Sequence, residues 1–279
     1  MGDADATLEG VENAAIQPLF IPAVIVITVL AMTGIFCNTN VALTVITSKK
    51  LRSVSNYLIA ANAIGDIGHQ ISHFFVLYSI FSGQNITSTT TCFAQMAIPF
   101  FFMDFSLCIM IWLALDRILV IVCSNHKNIN KKIYLPIIIS TSFIYGLVLL
   151  YFAYQSVIAV PNAKVICMVV SIFNGGSRKI WLYSQSIVCM LCVVMYVVFW
   201  ILLKSKHGSE LNDATTKLVA RSVTIIVVIV LLCWELTTLA LSVIQPYLNT
   251  GEYFSVIYYV GIIYNFSMSC NFLVLYFFK

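Results

Sequence analysis

The reading of this chain turns on CFAQMAIPFFFMDFSLCIMIWLALDRILVIVC, residues 92–123. The stretch is apolar and longer than the about 20 residues that carry a helix across a bilayer. Cys92 opens it, and the pair Asp116-Arg117 lies near its far end. At about 1.5 Å per residue, Cys92 and Arg117 stand roughly 38 Å apart, the hydrocarbon core plus part of each interface. One end therefore lies where disulfides form and the other at the opposite surface. Helical steps of three and four put Pro99, Met103, Ser106, Met110, Leu113 and Arg117 on one stripe. A cysteine at one mouth, a mixed stripe between and an arginine at the other mouth suit a signal transmitter.

The rest of the chain agrees. Of 279 residues, 61% are hydrophobic and 9% charged, against about 25% charged in soluble domains. Seven apolar spans can be drawn, at about 18–46, 56–81, 92–123, 133–154, 181–204, 217–245 and 254–278. The loops are short, without repeats or low-complexity tracts. The expected fold is an all-α membrane protein, a seven-transmembrane helix bundle, with residues 1–17 as a tail and 18–279 as one domain. Basic residues cluster beside apolar spans, which suits a lipid bilayer and argues against nucleic acid.

Lysine and arginine placement sets the expected threading. With the amino terminus outside, Lys164, Arg178 and Lys179 fall outside and the other twelve inside, among them Lys49, Lys50, Arg52, Arg117, Lys131, Lys132 and Lys204. The opposite threading inverts that split, so the amino terminus is expected outside and the carboxyl terminus inside. The first fourteen residues hold Asp3, Asp5, Glu9 and Glu12 and no base. That is unlike a cleaved signal peptide, and the first span reads as an uncleaved signal-anchor. Seven of the nine cysteines (Cys37, Cys108, Cys123, Cys189, Cys192, Cys233 and Cys270) fall within spans or at their inner ends. Cys92 and Cys167 are left on the oxidising side as a candidate disulfide, the alternative being two free thiols. Asn85-Ile86-Thr87 is a glycosylation sequon in an outer loop, its occupancy open. Asn265-Phe266-Ser267 fits the same pattern but falls inside segment seven and is expected to stay unmodified.

Asn38, Asn62 and Asp66 are polar at membrane depth. An intramembrane acid is costly and faces other helices or water; the three residues have the alternative role of knitting helices by hydrogen bonds. Asn38, LRSVSNYLIAANAIGD (51–66), Cys92 with Leu115-Asp116-Arg117, Cys233-Trp234 and Asn271 together resemble the landmarks of rhodopsin-like G-protein-coupled receptors. The Leu-Arg-Ser…Asn-Tyr-Leu-Ile phrase, and Asn271-Phe272 where that superfamily usually has Asn-Pro, resemble the nematode serpentine chemoreceptor family Srsx. The resemblance covers nearly the whole chain.

It implies a receptor that activates a heterotrimeric G protein, at the plasma membrane and by family likeness in sensory-neuron cilia. Asp66 with Ser106 and Asn271, near Asn38, resembles a polar core that binds a sodium ion in many relatives. Asp116 would pair with Arg117 at rest, and Arg117 would turn to the G protein on activation. Trp234 would couple ligand to segment six, and a Cys92–Cys167 bridge would tether the second outer loop. The sequence departs from the pattern at several places. Ile118 follows Asp-Arg in place of tyrosine, and Leu236 replaces the segment-six proline. Leu275 holds a usual tyrosine position, with Tyr276 adjacent, and Thr216 stands where many relatives have an acid. The chain ends at Lys279, where many relatives continue into an eighth helix.

A ligand is expected between helices in the outer half of the bundle. Pro99 and Met103 face that region on the stripe. Pro99 stands where amine receptors carry an aspartate, which argues against an amine ligand. His73, Asp104, Trp234 and Glu235 complete the candidate pocket, though each polar group has the alternative of a partner within the bundle. The composition suits a small apolar or amphipathic ligand. A neuropeptide receptor of the same superfamily is the alternative, and a seven-helix transporter or channel a more distant one, because paired broken helices and repeats are not seen. Segment seven has no lysine before Lys279 for a retinal Schiff base. No phosphate loop, metal-ligand or nucleophile motif appears, so no enzyme activity and no cofactor beyond the candidate sodium ion are expected.

Overall fold

The computed structural model describes residues 20–122, 130–173, 175–205, 233–239, 247 and 250–269. Helix α1 runs over Ile21–Thr47, begun by a proline in its first turn, where a missing N–H costs nothing. Helix α2 covers Val54–Gln70, with the Ser53 hydroxyl accepting from the Asn56 N–H as its cap. Helix α3 follows at Ser72–Phe81, α4 at Thr89–Val122 and α5 at Lys131–Ala159, capped by Asn130. Helix α6 spans Gly175–Ser205, α7 covers residues 233–239 and α8 runs over Thr250–Ser269.

Four of these, α1, α4, α5 and α6, are long and apolar enough to cross a membrane. The outward faces are correspondingly greasy, with Phe36, Ile98, Ile187 and Ile201 all exposed. Water does not tolerate such a continuous apolar surface, whereas lipid does.

The second span departs from the expected single helix over 56–81. It breaks at Ile71, where the Phe74 N–H bonds back three residues to the Ile71 carbonyl at 3.2 Å. Gly68, His69, Ser72 and His73 are weak helix formers, and they crowd the break. A second departure is a small sheet in a chain expected to be all helical. Strand β1 (Ile86–Ser88) pairs antiparallel with β2 (Lys164–Ile166), with Ile86 opposite Ile166. Beside it, the N–H groups of Thr89 and Thr90 donate to the carbonyls of Ala163 and Pro161 at 2.9 and 3.3 Å. These bonds satisfy donors that the start of α4 leaves open.

Helix α4 is the hub, packed against α2, α5 and α6, while α1 packs against α2 and α8. Small residues allow the close approaches, as in membrane bundles generally. A Cβ on Gly65 would lie 2.8 Å from the Ser106 Cβ and 3.2 Å from the Phe102 carbonyl oxygen. Gly68 likewise faces the Phe102 ring, and Gly34 the amide of Gln70. Across α1 and α8, the Ser269 hydroxyl donates to the Leu30 carbonyl at 2.8 Å.

Candidate functional site

Cys92, at the start of α4, is disulfide-bonded to Cys167, one residue past β2, with the Cα atoms 5.3 Å apart. The bond pins the segment after β2 over the end of the bundle, where Phe173 stacks on Trp181 of α6 at 5.2 Å and meets Phe100 edge-on at 5.1 Å. Met168, Val169 and Val170 of that segment form one wall of a cavity of about 130 Å³. The other walls come from α1, the α2–α3 break, α4, α6, α7 and α8.

Of the residues singled out in the sequence, His73, Met103 and Trp234 line the cavity, together with His69. Pro99, Asp104 and Glu235 are not among its lining residues. Pro99 is buried within α4. Asp104 turns to α6, where its Oδ1 accepts from Gln185 Nε2 at 2.5 Å and from Trp181 Nε1 at 3.4 Å. The rotation of about 100° per helical residue that separates Asp104 from Met103 accounts for the difference. Glu235 sits on the α7 face toward Cys189 of α6, one residue off the Trp234 that faces the cavity.

Sequence reasoning passed over Ser72, Tyr258, Tyr264 and Asn265, which also line the cavity. Asn265 stood out there only as a sequon. The available signal was the density of polar residues in HQISH (69–73) and YN (264–265), both inside apolar spans. Rings join across the site: His73 to His69 at 5.5 Å, His69 to Tyr264 at 5.5 Å, and Tyr264 to Trp234 at 4.7 Å, all edge-to-face.

Deeper between α2 and α4 lies the polar core. Ser106 Oγ donates to Asp66 Oδ1 at 2.7 Å and lies 3.0 Å from Asn62 Oδ1, while Asn62 Nδ2 donates to Asp66 Oδ2 at 3.2 Å. Asn62, one turn before Asp66, thus joins the cluster directly. Asn38 instead donates to the Met268 carbonyl of α8 at 3.4 Å, and its buried Oδ1 has no hydrogen-bond partner among the described residues. A carboxylate, a hydroxyl and an amide oxygen make an all-oxygen donor set, which fits a hard cation such as sodium. Asn271 and Tyr276 lie outside the described residues.

At the other end of α4, the Ser55 hydroxyl of α2 donates to the Asp116 carboxylate. Arg117 is half-buried, with Nε and Nη2 lacking hydrogen-bond partners among the described residues. The Tyr196 ring of α6 is close enough to interact electrostatically with it. Asn85 is 9% exposed, and its carbonyl accepts from the Cys167 N–H at 3.3 Å. A glycan there would have to leave from a side chain almost wholly buried beside the β1–β2 pair.

Long apolar helices packed by small residues round a polar core and an interhelical cavity define a polytopic helical membrane protein. The chain belongs to the serpentine chemoreceptors: the family model described as "Serpentine type 7TM GPCR chemoreceptor Srsx" matches residues 31–279. Comparison with curated proteins finds no match.

Proposed function

We propose that the chain is a G-protein-coupled chemosensory receptor of the plasma membrane, with sensory cilia as its site in the cell. In this reading residues 18–279 form one seven-span domain behind an extracellular tail, 1–17. The disulfide end faces outward, and the carboxyl terminus and Arg117 face the cytoplasm. A small molecule occupies the cavity, and the bundle passes its presence to a heterotrimeric G protein. The observation that carries the reading is that the cavity has Trp234 as one wall and the disulfide-held segment 168–170 as another. A ligand there touches both the loop tether and the helix that relatives use to transmit the signal.

The chain's own residues supply the steps. Asp116, held by the Ser55 hydroxyl, would pair with the adjacent Arg117 at rest, and Arg117 would turn toward the G protein on activation. Asp66, Ser106 and Asn62 would hold a sodium ion, which would balance the Asp66 charge and favour the resting packing. Arg117→Ala should abolish G-protein signalling while surface expression stays largely intact. Full signalling from a well-expressed Arg117→Ala variant removes the role assigned to this residue. A cavity of about 130 Å³, close to the about 150 Å³ that holds benzene, favours a small molecule over the neuropeptide alternative.

A further inference from the structure

We infer that the cavity is built for a small uncharged amphiphile, with a hydroxyl or carbonyl head among His69, His73, Tyr264 and Asn265 and a hydrocarbon body against Met103 and Trp234. The inference rests on the receptor reading of the same cavity and adds the chemical class of its ligand.

Size comes first. An engineered apolar cavity of about 150 Å³ holds benzene, and this one measures about 130 Å³. The occupant is therefore of volatile size, well below a peptide. Charge comes next. Among the described residues lining the cavity none is Asp, Glu, Lys or Arg. Asp104, the acid nearest in sequence to a lining residue of α4, is already held by Gln185 and Trp181 on its far side. An ammonium would lose its hydration there with no acid on the described wall and with Glu235 turned to Cys189, and a carboxylate would gain a counter-charge only if His69 or His73 took up a proton in the same enclosure.

The head follows from what the protein leaves unmet. Among the described residues, His69 Nδ1, His73 Nε2, the Tyr264 hydroxyl and Asn265 Oδ1 are buried with no hydrogen bond of good geometry, although the His73 ring and the Asn265 side chain lie close enough to interact with each other and His69 interacts with the Pro99 backbone. The Asn265 amide nitrogen is already committed to the Gly261 carbonyl at 2.9 Å, which fixes its oxygen as the free acceptor. Buried polar atoms are normally paired, and a run of orphans on one cavity points to a missing partner. Imidazole and phenol can donate and the amide oxygen accepts, so a hydroxyl or a carbonyl satisfies them. The ring contacts from His73 through His69 and Tyr264 to Trp234 then give the head a packed route to α7.

The test uses the full chain in lipid nanodiscs, with five probes of similar hydrocarbon body: hexanol, heptanone, heptane, hexylamine and hexanoate. A saturable change in tryptophan emission in a Trp112→Phe/Trp200→Phe background, where Trp181 and Trp234 are the emitters left, and the shift in melting temperature report binding without a G protein. Hexanol and heptanone should bind at least tenfold more tightly than heptane, hexylamine or hexanoate. His73→Leu and Tyr264→Phe should reduce that preference to less than threefold, and His73→Gln should recover part of it. Binding that ranks by hydrocarbon length alone, tighter binding of either charged probe, or no saturable binding to a chain that melts cooperatively would each overturn the inference. A neutral-head preference without any G-protein response in cells would defeat the receptor reading and leave this one standing. A G-protein response restricted to charged or peptide ligands would do the reverse.

Discussion

Asp104 has no exposed surface, yet it lies in the apolar middle of α4. It is tolerated because the Gln185 amide and the Trp181 indole reach it from α6. Removing one partner of such a cluster strands the others, which costs more than the bond itself was worth. Asp104→Ala should therefore destabilise the protein by about 1 kcal/mol, in line with hydrogen bonds inside membrane bundles. Asp104→Asn, which keeps an acceptor, should cost less. Melting of the purified variants in detergent checks the order, and equal loss from both would remove the hydrogen-bond explanation. The candidate site was legible at this scale in part. His73, Met103 and Trp234 could be read as pocket residues because each is unusual in its span or lies on the stripe of residues 99–117. Tyr264 and Asn265 left only a weak signal, two polar residues inside an apolar span, and Tyr264 gains its place from the His69 and Trp234 rings beside it.

At the scale of elements, two devices hold the site in shape. One is the close crossing of α2 over α4 at Gly65. Gly65→Val drives a branched side chain into Ser106 and the Phe102 backbone, and overpacking of this kind costs about 1–3 kcal/mol. The variant should melt lower and lose the Asp66–Ser106 contact, with loss of melting temperature as the measurement. A variant as stable as the parent would show that the helices separate at little cost. The other device is the bridge that ties the 168–170 wall to α4. Cys92→Ser and Cys167→Ser should show the same trafficking defect, with the double variant no worse than either. Additive losses in surface expression would mean that the cysteines act separately. The break at Ile71 and the β1–β2 pair were not legible beforehand. Weak helix formers lower helix propensity without fixing where a span breaks, and the β1–β2 pair joins three-residue strands far apart in sequence that carry too little pattern to be read alone.

For the whole molecule, threading is the claim with the widest reach. Twelve of fifteen basic residues fall on one side if the amino terminus is outside, and the bias of lysine and arginine toward the cytoplasm is the strongest topological rule for helical membrane proteins. Epitope tags at the two ends should be reached from opposite sides of intact cells, the amino-terminal one without permeabilisation. Tags on the same side would end the seven-span reading. The sequence by itself determined that this is a membrane-embedded helical protein, where the spans at α1, α4, α5 and α6 lie and which family it joins. Those properties are sums of local hydrophobicity and ordered landmarks, and they need no knowledge of neighbours. Only the tertiary structure decided that Gln185 and Trp181 are the groups that hold Asp104 and that Ser106 of α4 completes the Asn62–Asp66 pair. It likewise decided that two histidines, a tyrosine and an asparagine converge on one cavity. Which face of a helix meets which partner depends on packing between segments far apart in the chain, and no local pattern encodes it.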